Sequence, residues 1–245
     1  MTPSNHHIVL ITGANRGIGL GLACAFLERG ATVIAACRNP AEALASDAGL
    51  GMLQEHVGDR LEVVEMDVRS DASVTAAGER AGARFERIDI LINNAAVFPG
   101  KPDDRLLKVS TGQMRDAFET NVLGPFRVAR AFLPMLDASD NPRVINISSA
   151  AGSLTAKAGS LMYPYAVSKT ALNMLTRTMA VELQEQGICV VAVSPGWVKT
   201  DMGGPDARIS VTESVEPLAE TALHLTMTNT SCWLDRFGNF CKEAW

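Results

Sequence analysis

Tyr165 and Lys169 have the clearest chemical potential in this sequence, because they stand four positions apart at the start of a predicted helix. That spacing places both side chains on one face of the helix. A free tyrosine has a pKa near ~10, and a neighbouring ammonium group favours the phenolate and lowers that pKa. The pair therefore predicts a general acid that protonates an oxygen as an alkoxide forms. The alternative is an ordinary helical pair whose lysine extends to solvent.

A glycine-rich turn, Thr12-Gly13-Ala14-Asn15-Arg16-Gly17-Ile18-Gly19, follows the first predicted strand and precedes a predicted helix. Glycine permits positive φ and lets the backbone approach a phosphate closely. The N–H groups and the positive dipole end of the helix N-terminus then bind the anion. In the first βαβ unit of an α/β chain, this pattern predicts a dinucleotide site. The alternative is a tight turn that binds no ligand.

The end of the second predicted strand indicates which dinucleotide binds. An acidic residue there would bind the ribose 2′-hydroxyl of NAD and repel a 2′-phosphate. This chain instead has Cys37 followed by Arg38, and Arg16 lies in the glycine-rich turn. Two guanidinium groups would make charge-assisted hydrogen bonds to a 2′-phosphate, which predicts NADP rather than NAD. The alternative is that both arginines are ordinary solvated side chains.

The elements that must position these residues are short apolar runs that alternate with helix-length segments. The predicted strands cover residues 8–12, 32–36, 61–66, 88–93, 143–148 and 188–194, and the predicted helices cover residues 17–28, 71–85, 113–136 and 165–186. Continuously apolar runs are typical of strands buried on both faces of a parallel sheet. We therefore predict a single-domain α/β chain over residues 1–245. Its doubly wound Rossmann sheet is mostly parallel, with about seven strands and helices on both faces.

Composition and charge argue against several other classes of protein. The chain has 22 basic and 27 acidic residues and a net charge of −5, which gives no general attraction to nucleic acid or to an anionic membrane. No apolar stretch approaches the length of a membrane span, and the N-terminus lacks a secretory signal pattern. The five cysteines and four histidines form no zinc motif, so we expect free thiols and no metal site. A cytoplasmic protein is the default expectation.

The set of motifs resembles the short-chain dehydrogenase/reductase family, in particular its branch of carbonyl reductases similar to sniffer and the bacterial C-factor. The turn has the family's T-G-x-x-x-G-x-G spacing, and Asn93-Asn94-Ala95-Ala96 is similar to its N-N-A-G motif. Ala96 departs from that motif, and we expect its methyl group to cause a modest local shift of the cofactor. The resemblance covers essentially the whole chain, including Ser194-Pro195-Gly196-Trp197-Val198-Lys199-Thr200-Asp201 and the tail that ends in Trp245.

The resemblance implies a catalytic set that follows the family's order along the chain. Its members are Asn121, Ser149, Tyr165 and Lys169. Asn121 would bend its helix and hold a water that connects Lys169 to solvent. Ser149 rather than Ser148 would position the carbonyl oxygen, because the family uses the second serine of this pair.

The loop before Tyr165 has extra residues at 156–162, as in the sniffer-like members. Tyr163 lies at its end, but Tyr163 has no lysine four residues later and is predicted to be a pocket or core residue. The candidate substrate pocket is apolar. Its predicted wall consists of Tyr163, Trp197, Phe98, Leu154 and Met202.

The resemblance also implies a cofactor-binding set. Its members are Gly13, Asn15, Arg16, Gly17, Ile18, Gly19, Arg38, Asp67, Val68, Asn94, Ala95, Tyr165, Lys169, Pro195, Gly196, Val198 and Thr200. Asp67 would hydrogen-bond the adenine, and Lys169 would hold the hydroxyls of the nicotinamide ribose. Val198 and Thr200 would meet the nicotinamide carboxamide.

The activity that the resemblance implies is NADPH-dependent hydride transfer to a ketone or aldehyde, or from a secondary alcohol. Family membership does not choose between an aromatic or polyketide-like ketone and a small aldehyde. The family's dimer surface falls on residues 113–136 and 165–186, so we expect a homodimer or homotetramer. One alternative is an NADPH-binding redox sensor or signalling protein without significant turnover. Another is an enzyme that uses the same cofactor for epimerisation or dehydration.

Overall fold

A computed structural model of the protein describes residues 6–45, 49–155 and 161–241. Residues 156–160 of the predicted extra loop and the terminal Trp245 lie outside the described residues. Within the described ranges, seven strands form one sheet. They are β1 (Ile8–Thr12), β2 (Thr32–Cys37), β3 (Leu61–Glu65), β4 (Ile90–Asn93), β5 (Arg143–Ile147), β6 (Cys189–Ser194) and β7 (Trp233–Asp235).

Eight α-helices lie in the described ranges. They are α1 (Gly17–Glu28), α2 (Pro40–Leu44), α3 (Leu50–Val57), α4 (Asp71–Gly82), α5 (Thr111–Phe118), α6 (Gly124–Asp137), α7 (Tyr163–Leu183) and α8 (Val211–His224). Short 3₁₀ turns occur at Gly58–Arg60, Leu106–Lys108, Ala150–Gly152, Gln184–Gln186 and Met227–Asn229. None of the helices in this part of the chain is both long and apolar enough to span a bilayer.

The strand order is β3-β2-β1-β4-β5-β6-β7, and every neighbouring pair is parallel. The chain runs outward from β1 to β3 and then returns to place β4 on the other side of β1. This reversal creates a switch point at the carboxyl ends of β1 and β4, where doubly wound sheets bind their ligands. The predicted fold class is confirmed, and the sheet is parallel throughout.

The core forms two layers, one on each face of the sheet. Val9 and Ile11 of β1 belong to the layer that contains α1 and α8, whereas Leu10 belongs to the layer of α4, α6 and α7. Both faces are covered, which explains why the strands are apolar at consecutive positions. Phe26 and Phe132 are the largest fully buried side chains of the two layers. Burial of such a side chain contributes about 1.5–3 kcal/mol.

The predicted helix over residues 113–136 is present as two helices, and the interruption lies at Asn121, where the family resemblance predicted a bend. α5 and α6 are separated by a π-helical turn, Glu119–Leu123, which inserts an extra residue into the helical ladder. Two other features were absent from the predicted segments: helices α2 and α3 occupy the connection between β2 and β3, and α8 precedes β7. All six predicted strands are present, with ends that differ by at most two residues.

Candidate active site and cofactor cleft

Two groups of residues face the switch point, and they differ in position and chemistry. We call residues 12–19, with Arg38 and Asp67 at the ends of β2 and β3, the phosphate wall. The catalytic wall comprises Ser149, Tyr165 and Lys169 together with Asn121. The loop that follows β6, residues 195–210, is called the β6–α8 loop.

The glycines of the phosphate wall are required by backbone geometry. Gly13 and Gly17 have φ of +66° and +55°, a region that L side chains rarely adopt. A Cβ on Gly19 would lie 2.3 Å from the carbonyl oxygen of Gly13. No side chain caps the N-terminus of α1 at Gly17, and no acidic residue occupies its first turn. The N–H groups there suit an anion such as a diphosphate, and the exposed Asn15 and half-buried Ile18 flank them.

Thr12 and Asn94 brace the glycine-rich turn against β4. Asn94 Nδ2 donates to the carbonyl oxygens of Thr12 at 2.8 Å and of Gly13 at 3.2 Å. Thr12 Oγ1 in turn accepts from the backbone nitrogens of Asn94 and Ala95, both at 3.0 Å. The side chain of Asn94, predicted to bind cofactor, therefore holds the turn. Thr12 was not among the predicted site residues, although its position before Gly13 was visible in the sequence.

The two arginines predicted to meet a 2′-phosphate make different contacts. Arg38 is exposed at the end of β2 and lines an open cavity of about 380 Å³, together with Pro40 and Glu65. Arg16 Nη1 donates to Asp201 Oδ2 at 2.9 Å, in the β6–α8 loop. No pattern in the sequence predicted this contact, because the two residues are 185 positions apart.

Asp67 is held by its near neighbour Arg69. The Arg69 Nη2 donates to Asp67 Oδ2 at 2.7 Å, and the Arg69 backbone nitrogen donates to Asp67 Oδ1 at 3.0 Å. Hydrogen bonding to Arg69 lowers the pKa of the Asp67 carboxyl below its usual value. An adenine bond from Asp67 would share a carboxylate that is already engaged, and it stays a prediction. Val68 is buried, next to Gly124 at the start of α6.

The catalytic wall brings the predicted tyrosine, serine and lysine together. Lys169 Nζ lies 5.6 Å from the centre of the Tyr165 ring and donates to the carbonyl oxygen of Ile147 at 2.7 Å. The Ser149 side chain lies close enough to Tyr165 to lower the pKa of its hydroxyl. The Phe98 ring packs against the Tyr165 ring with centroids 5.2 Å apart. Lys169 is 2% exposed, so its side chain does not extend to solvent as in the alternative interpretation.

Burial dominates the proton affinities of this pair. Burial raises the pKa of Tyr165, and the hydrogen bond with Ser149 lowers it in part. Burial also lowers the pKa of Lys169 to about 7. The expected lowering of the Tyr165 pKa depends on a cationic nicotinamide as well as on Lys169, and it stays a prediction. In the protein chain alone, desolvation disfavours the charged form of both groups.

The two adjacent serines have different environments. Ser148 is buried, and its hydroxyl donates to Asn173 Oδ1. Ser149 is half-buried, and its Oγ accepts from the backbone nitrogen of Ala151 at 3.2 Å. Ser149 thus keeps its hydroxyl at the site with Tyr165, whereas Ser148 joins β5 to α7.

Asn121 lies in the π-helical turn and is 1% exposed. Its Oδ1 accepts from the backbone nitrogen of Val97 at 2.8 Å, and its Nδ2 donates to the Val97 carbonyl oxygen at 2.9 Å. Nδ2 also donates to Ser168 Oγ at 3.0 Å, and Ser168 Oγ donates to the Tyr165 carbonyl oxygen at 2.8 Å. Asn121 therefore connects the segment after β4 to the first turn of α7. Neither Val97 nor Ser168 was predicted at the site.

The β6–α8 loop approaches the phosphate wall from the other side. A Cβ on Gly17 would lie 3.3 Å from Thr200 Cγ2, so the loop and the turn nearly touch there. Gly196 has φ of +89°, and a Cβ on it would lie 2.8 Å from Ile209 Cδ1. Val198 is buried and forms a bridge with Ile209. The carbonyl oxygen of Pro195 accepts from Ser214 Oγ of α8 at 2.8 Å.

A second open cavity, of about 680 Å³, lies beside the start of α7. Its lining combines apolar and charged side chains: Asp103, Arg105, Leu106, Leu161 and Tyr163. The predicted pocket residue Tyr163 is thus at this cavity, whereas Phe98 contacts Tyr165 itself. The other predicted pocket residues are largely exposed, namely Leu154, Trp197 and Met202.

A family model described as short chain dehydrogenase matches residues 7–208. The chain belongs to the short-chain dehydrogenase family. The match includes the phosphate wall, the catalytic wall and most of the β6–α8 loop, so the predicted family is confirmed.

Individual relatives confirm the predicted branch of this short-chain dehydrogenase. The NADPH-bound carbonyl reductase from chicken fatty liver is 33% identical, with a TM-score of 0.86 and coverage of 98% of this chain and 99% of that one. The carbonyl reductase Sniffer of D. melanogaster is 30% identical, with a TM-score of 0.89 over 98% and 100% of the two chains. The C-signal protein of Myxococcus xanthus is 43% identical over 128 residues, which are 52% of this chain and 76% of that one.

Proposed function

We propose that this short-chain dehydrogenase is an NADPH-dependent carbonyl reductase. It transfers hydride between nicotinamide and a ketone or aldehyde, or a secondary alcohol in reverse, with Tyr165 as general acid and base. One observation carries the proposal: Tyr165, Ser149 and Lys169 meet at the carboxyl edge of the sheet. They lie across the switch point from a glycine-rich turn that fits a diphosphate.

The phosphate wall supports NADP as the cofactor. The uncapped start of α1 and the glycines of the turn suit the diphosphate, and the exposed Arg38 beside its cavity suits the 2′-phosphate. Cys37 stands at the end of β2 in place of the carboxylate that would repel that phosphate, and Glu65 of the neighbouring β3 is the acidic residue that lines the same cavity. The similar chicken carbonyl reductase is an NADPH-bound structure. When bound, NADPH supplies the hydride.

The residues of the catalytic wall supply the proton and the orientation. The Ser149 hydroxyl orients the carbonyl oxygen, and the Tyr165 hydroxyl donates a proton to that oxygen as negative charge develops. The raised pKa keeps Tyr165 protonated at neutral pH, which suits its role as an acid in reduction. In alcohol oxidation Tyr165 accepts the proton instead, so the rate of oxidation should rise with pH.

Lys169 and Asn121 set the position of the acid. Lys169 uses one N–H on the Ile147 carbonyl oxygen, which leaves two donors for the hydroxyls of a nicotinamide ribose. Asn121 holds the first turn of α7 through Ser168, so the backbone of Tyr165 is fixed relative to the segment after β4. A water held near Asn121 would complete the path from Lys169 to solvent.

The substrate side favours a ketone or aldehyde with an apolar or aromatic substituent. Phe98 stacks beside Tyr165, and Tyr163, Leu106 and Leu161 line the neighbouring cavity. Such a surface binds apolar groups and leaves the orientation of the carbonyl to the few polar groups of the site.

We also infer that two copies associate through α6 and α7. Exposed apolar side chains lie along this surface: Phe126 on α6 and Val167, Met174 and Val181 on α7. Contiguous exposed apolar surface of this kind marks a protein interface. Light scattering at micromolar concentration should give the mass of a dimer or tetramer, and a stable monomer would contradict this inference.

The experiment that tests the function combines a binding and a turnover measurement. The purified protein is titrated with NADPH, and its consumption of NADPH is then measured with a panel of aromatic ketones, aliphatic ketones and small aldehydes. We expect NADPH binding and turnover with at least one apolar ketone or aldehyde. Binding without turnover across the panel would instead favour the sensor, and absence of binding would overturn both functions.

A further inference from the structure

Arg16 and Asp201 join the two loops that border the diphosphate region of the cleft. The pair connects the glycine-rich turn to the β6–α8 loop through the 2.9 Å contact between Arg16 Nη1 and Asp201 Oδ2. Immediately beside it, Gly17 and Thr200 lie in near contact. The pair therefore spans the two loops at the point where they come closest.

The backbone on either side of Asp201 is fixed by hydrogen bonds within its own loop. Gly204 donates its backbone N–H to the carbonyl oxygen of Thr200 at 2.9 Å, which forms a turn around Asp201. Trp197 Nε1 donates to the Gly203 carbonyl oxygen at 2.8 Å, and the Lys199 N–H donates to the Ile209 carbonyl oxygen at 2.8 Å. The loop thus fixes the backbone that carries Asp201, and the exposed carboxylate reaches Arg16 from there.

The contact between Arg16 and Asp201 should weaken the binding of a cofactor that carries a 2′-phosphate. A guanidinium group that binds a carboxylate offers fewer donors and less net charge to a second anion. The side chains of Arg16 and Asp201 are 68% and 80% exposed, so their mutual attraction is weak and a phosphate can displace the carboxylate. NADH has no such phosphate and leaves the pair unchanged.

The geometry points to Asp201 as a specificity-determining residue that competes with the 2′-phosphate of NADPH for Arg16. This inference rests on the proposed function, since it assumes that the cleft binds nicotinamide dinucleotides. Asp201 thereby limits the preference for NADPH over NADH that Arg16 and Arg38 create. The residue acts through Arg16 and takes no part in the chemical step.

The test compares two neutralising substitutions in the same loop. Asp201→Asn keeps the shape of the side chain and removes the charge that faces Arg16. Asp206→Asn removes the same charge from an exposed position, and no contact in the described part of the chain joins Asp206 to Arg16. Each protein is titrated with NADPH and with NADH, using the fluorescence of the bound reduced nicotinamide, so that no turnover is required.

We expect Asp201→Asn to tighten NADPH binding roughly two- to fivefold, the range for charges this exposed. NADH binding should improve by less, because NADH gains only from the loss of one exposed negative charge near its diphosphate. Asp206→Asn should change the affinities for NADPH and NADH by less than this. The gain in NADPH affinity caused by Asp201→Asn should shrink with added salt. In an Arg16→Gln background, Asp201→Asn should not change the affinity for NADPH, because the guanidinium group for which Asp201 and the phosphate compete is absent.

Two results would overturn the inference. Equal changes for NADPH and NADH would mean that Asp201 only shapes the loop, and an unchanged NADPH affinity would mean that no competition occurs. Failure of the proposed function is distinguishable, because it would appear in the unsubstituted protein as an absence of binding to either dinucleotide.

Discussion

The catalytic wall and the phosphate wall hold their functional side chains in opposite ways. Lys169 and Asn121 are almost completely buried, and each is fixed by hydrogen bonds to backbone carbonyl groups. Arg16 and Arg38 are exposed, and Arg16 contacts an equally exposed carboxylate. Under the proposed mechanism, the groups whose proton affinity and orientation determine the reaction are buried, whereas the groups that only contribute charge are exposed to solvent. Substitutions on the catalytic wall should therefore have the larger effects.

The largest effect is expected at Tyr165. Tyr165→Phe removes the proton donor and keeps the ring against Phe98, so turnover should fall by about 10²–10⁴-fold while NADPH binding stays within about twofold. Steady-state turnover and a binding titration measure the two quantities. Tyr163→Phe is the matched control and should keep most of the activity. Full activity of the Tyr165 variant would show that another group is the acid.

Lys169→Met should change the pH dependence of stability. The pKa of Lys169 is about 7 in the folded protein and 10.5 as its ordinary value, so the unfolded chain binds the proton more tightly. The penalty for burying this lysine is fully present below pH 7 and disappears as pH rises toward 10.5. We therefore compare the free energy of unfolding of the variant with that of the parent at each pH. The difference in favour of the variant should be several kcal/mol larger at pH 6 than at pH 10.

Denaturant unfolding at the two pH values measures this difference. Removal of the lysine also leaves the Ile147 carbonyl oxygen without its partner, but that loss is the same at both pH values and cancels. The exposed Lys108→Met reports the general effect of losing a lysine. An equal stability difference at pH 6 and pH 10 for Lys169→Met would show that its pKa is not lowered by burial.

A smaller effect is expected in the backbone of the phosphate wall. Gly19→Ala places a Cβ against the Gly13 carbonyl oxygen, so we expect a loss of about 1–3 kcal/mol in the free energy of unfolding, together with weaker NADPH binding. Gly82→Ala at the end of α4 is the control, since nothing lies within 4 Å of its Cβ. Urea unfolding of both variants compares them. Equal stabilities would show that the turn relaxes without cost.

The smallest effect is expected at the exposed Arg38. Arg38→Asp should weaken NADPH binding about tenfold, as expected for loss of one charged hydrogen bond, and NADH binding much less. Titration with both cofactors measures this selectivity, and Arg115→Asp, at an exposed position of α5, controls for net charge. Identical affinities in the variant and the parent would remove the role given to Arg38. An effect as large as that of Tyr165→Phe would remove the contrast between the two walls.

Much of the fold was predictable because its signals are local. The apolar runs that form β1 to β6 lie in consecutive positions, and glycines with positive φ occur where the turn of residues 12–19 needs them. α8 and β7 were not among the predicted elements. β7 is three residues long and carries no clear pattern. In α8, by contrast, Val215, Leu218 and Ala222 recur at helical spacing in spite of Pro217, so that helix was predictable from the sequence.

The candidate site likewise contains features that the sequence predicted and features that it did not. The spacing of Tyr165 and Lys169 predicted that they share a helix face, and they do so on α7. The resemblance predicted a bend at Asn121, and a π-helical turn lies there. The sequence did not predict the π-helical form of that bend, the brace between Thr12 and Asn94, or the engagement of Asp67 by Arg69. Each of these depends on which backbone groups lie within reach of a short polar side chain, and that is set by packing.

By itself, the sequence determined the parallel sheet, the glycine-rich turn and the residue types that can move a proton, because these follow from local periodicity and from chemistry at fixed spacing. The tertiary structure alone decided that burial dominates the pKa values of Tyr165 and Lys169, and that Arg16 meets a carboxylate 185 residues away. Proton affinities and ion pairs depend on burial and on distance in space, and neither quantity exists until the chain is folded.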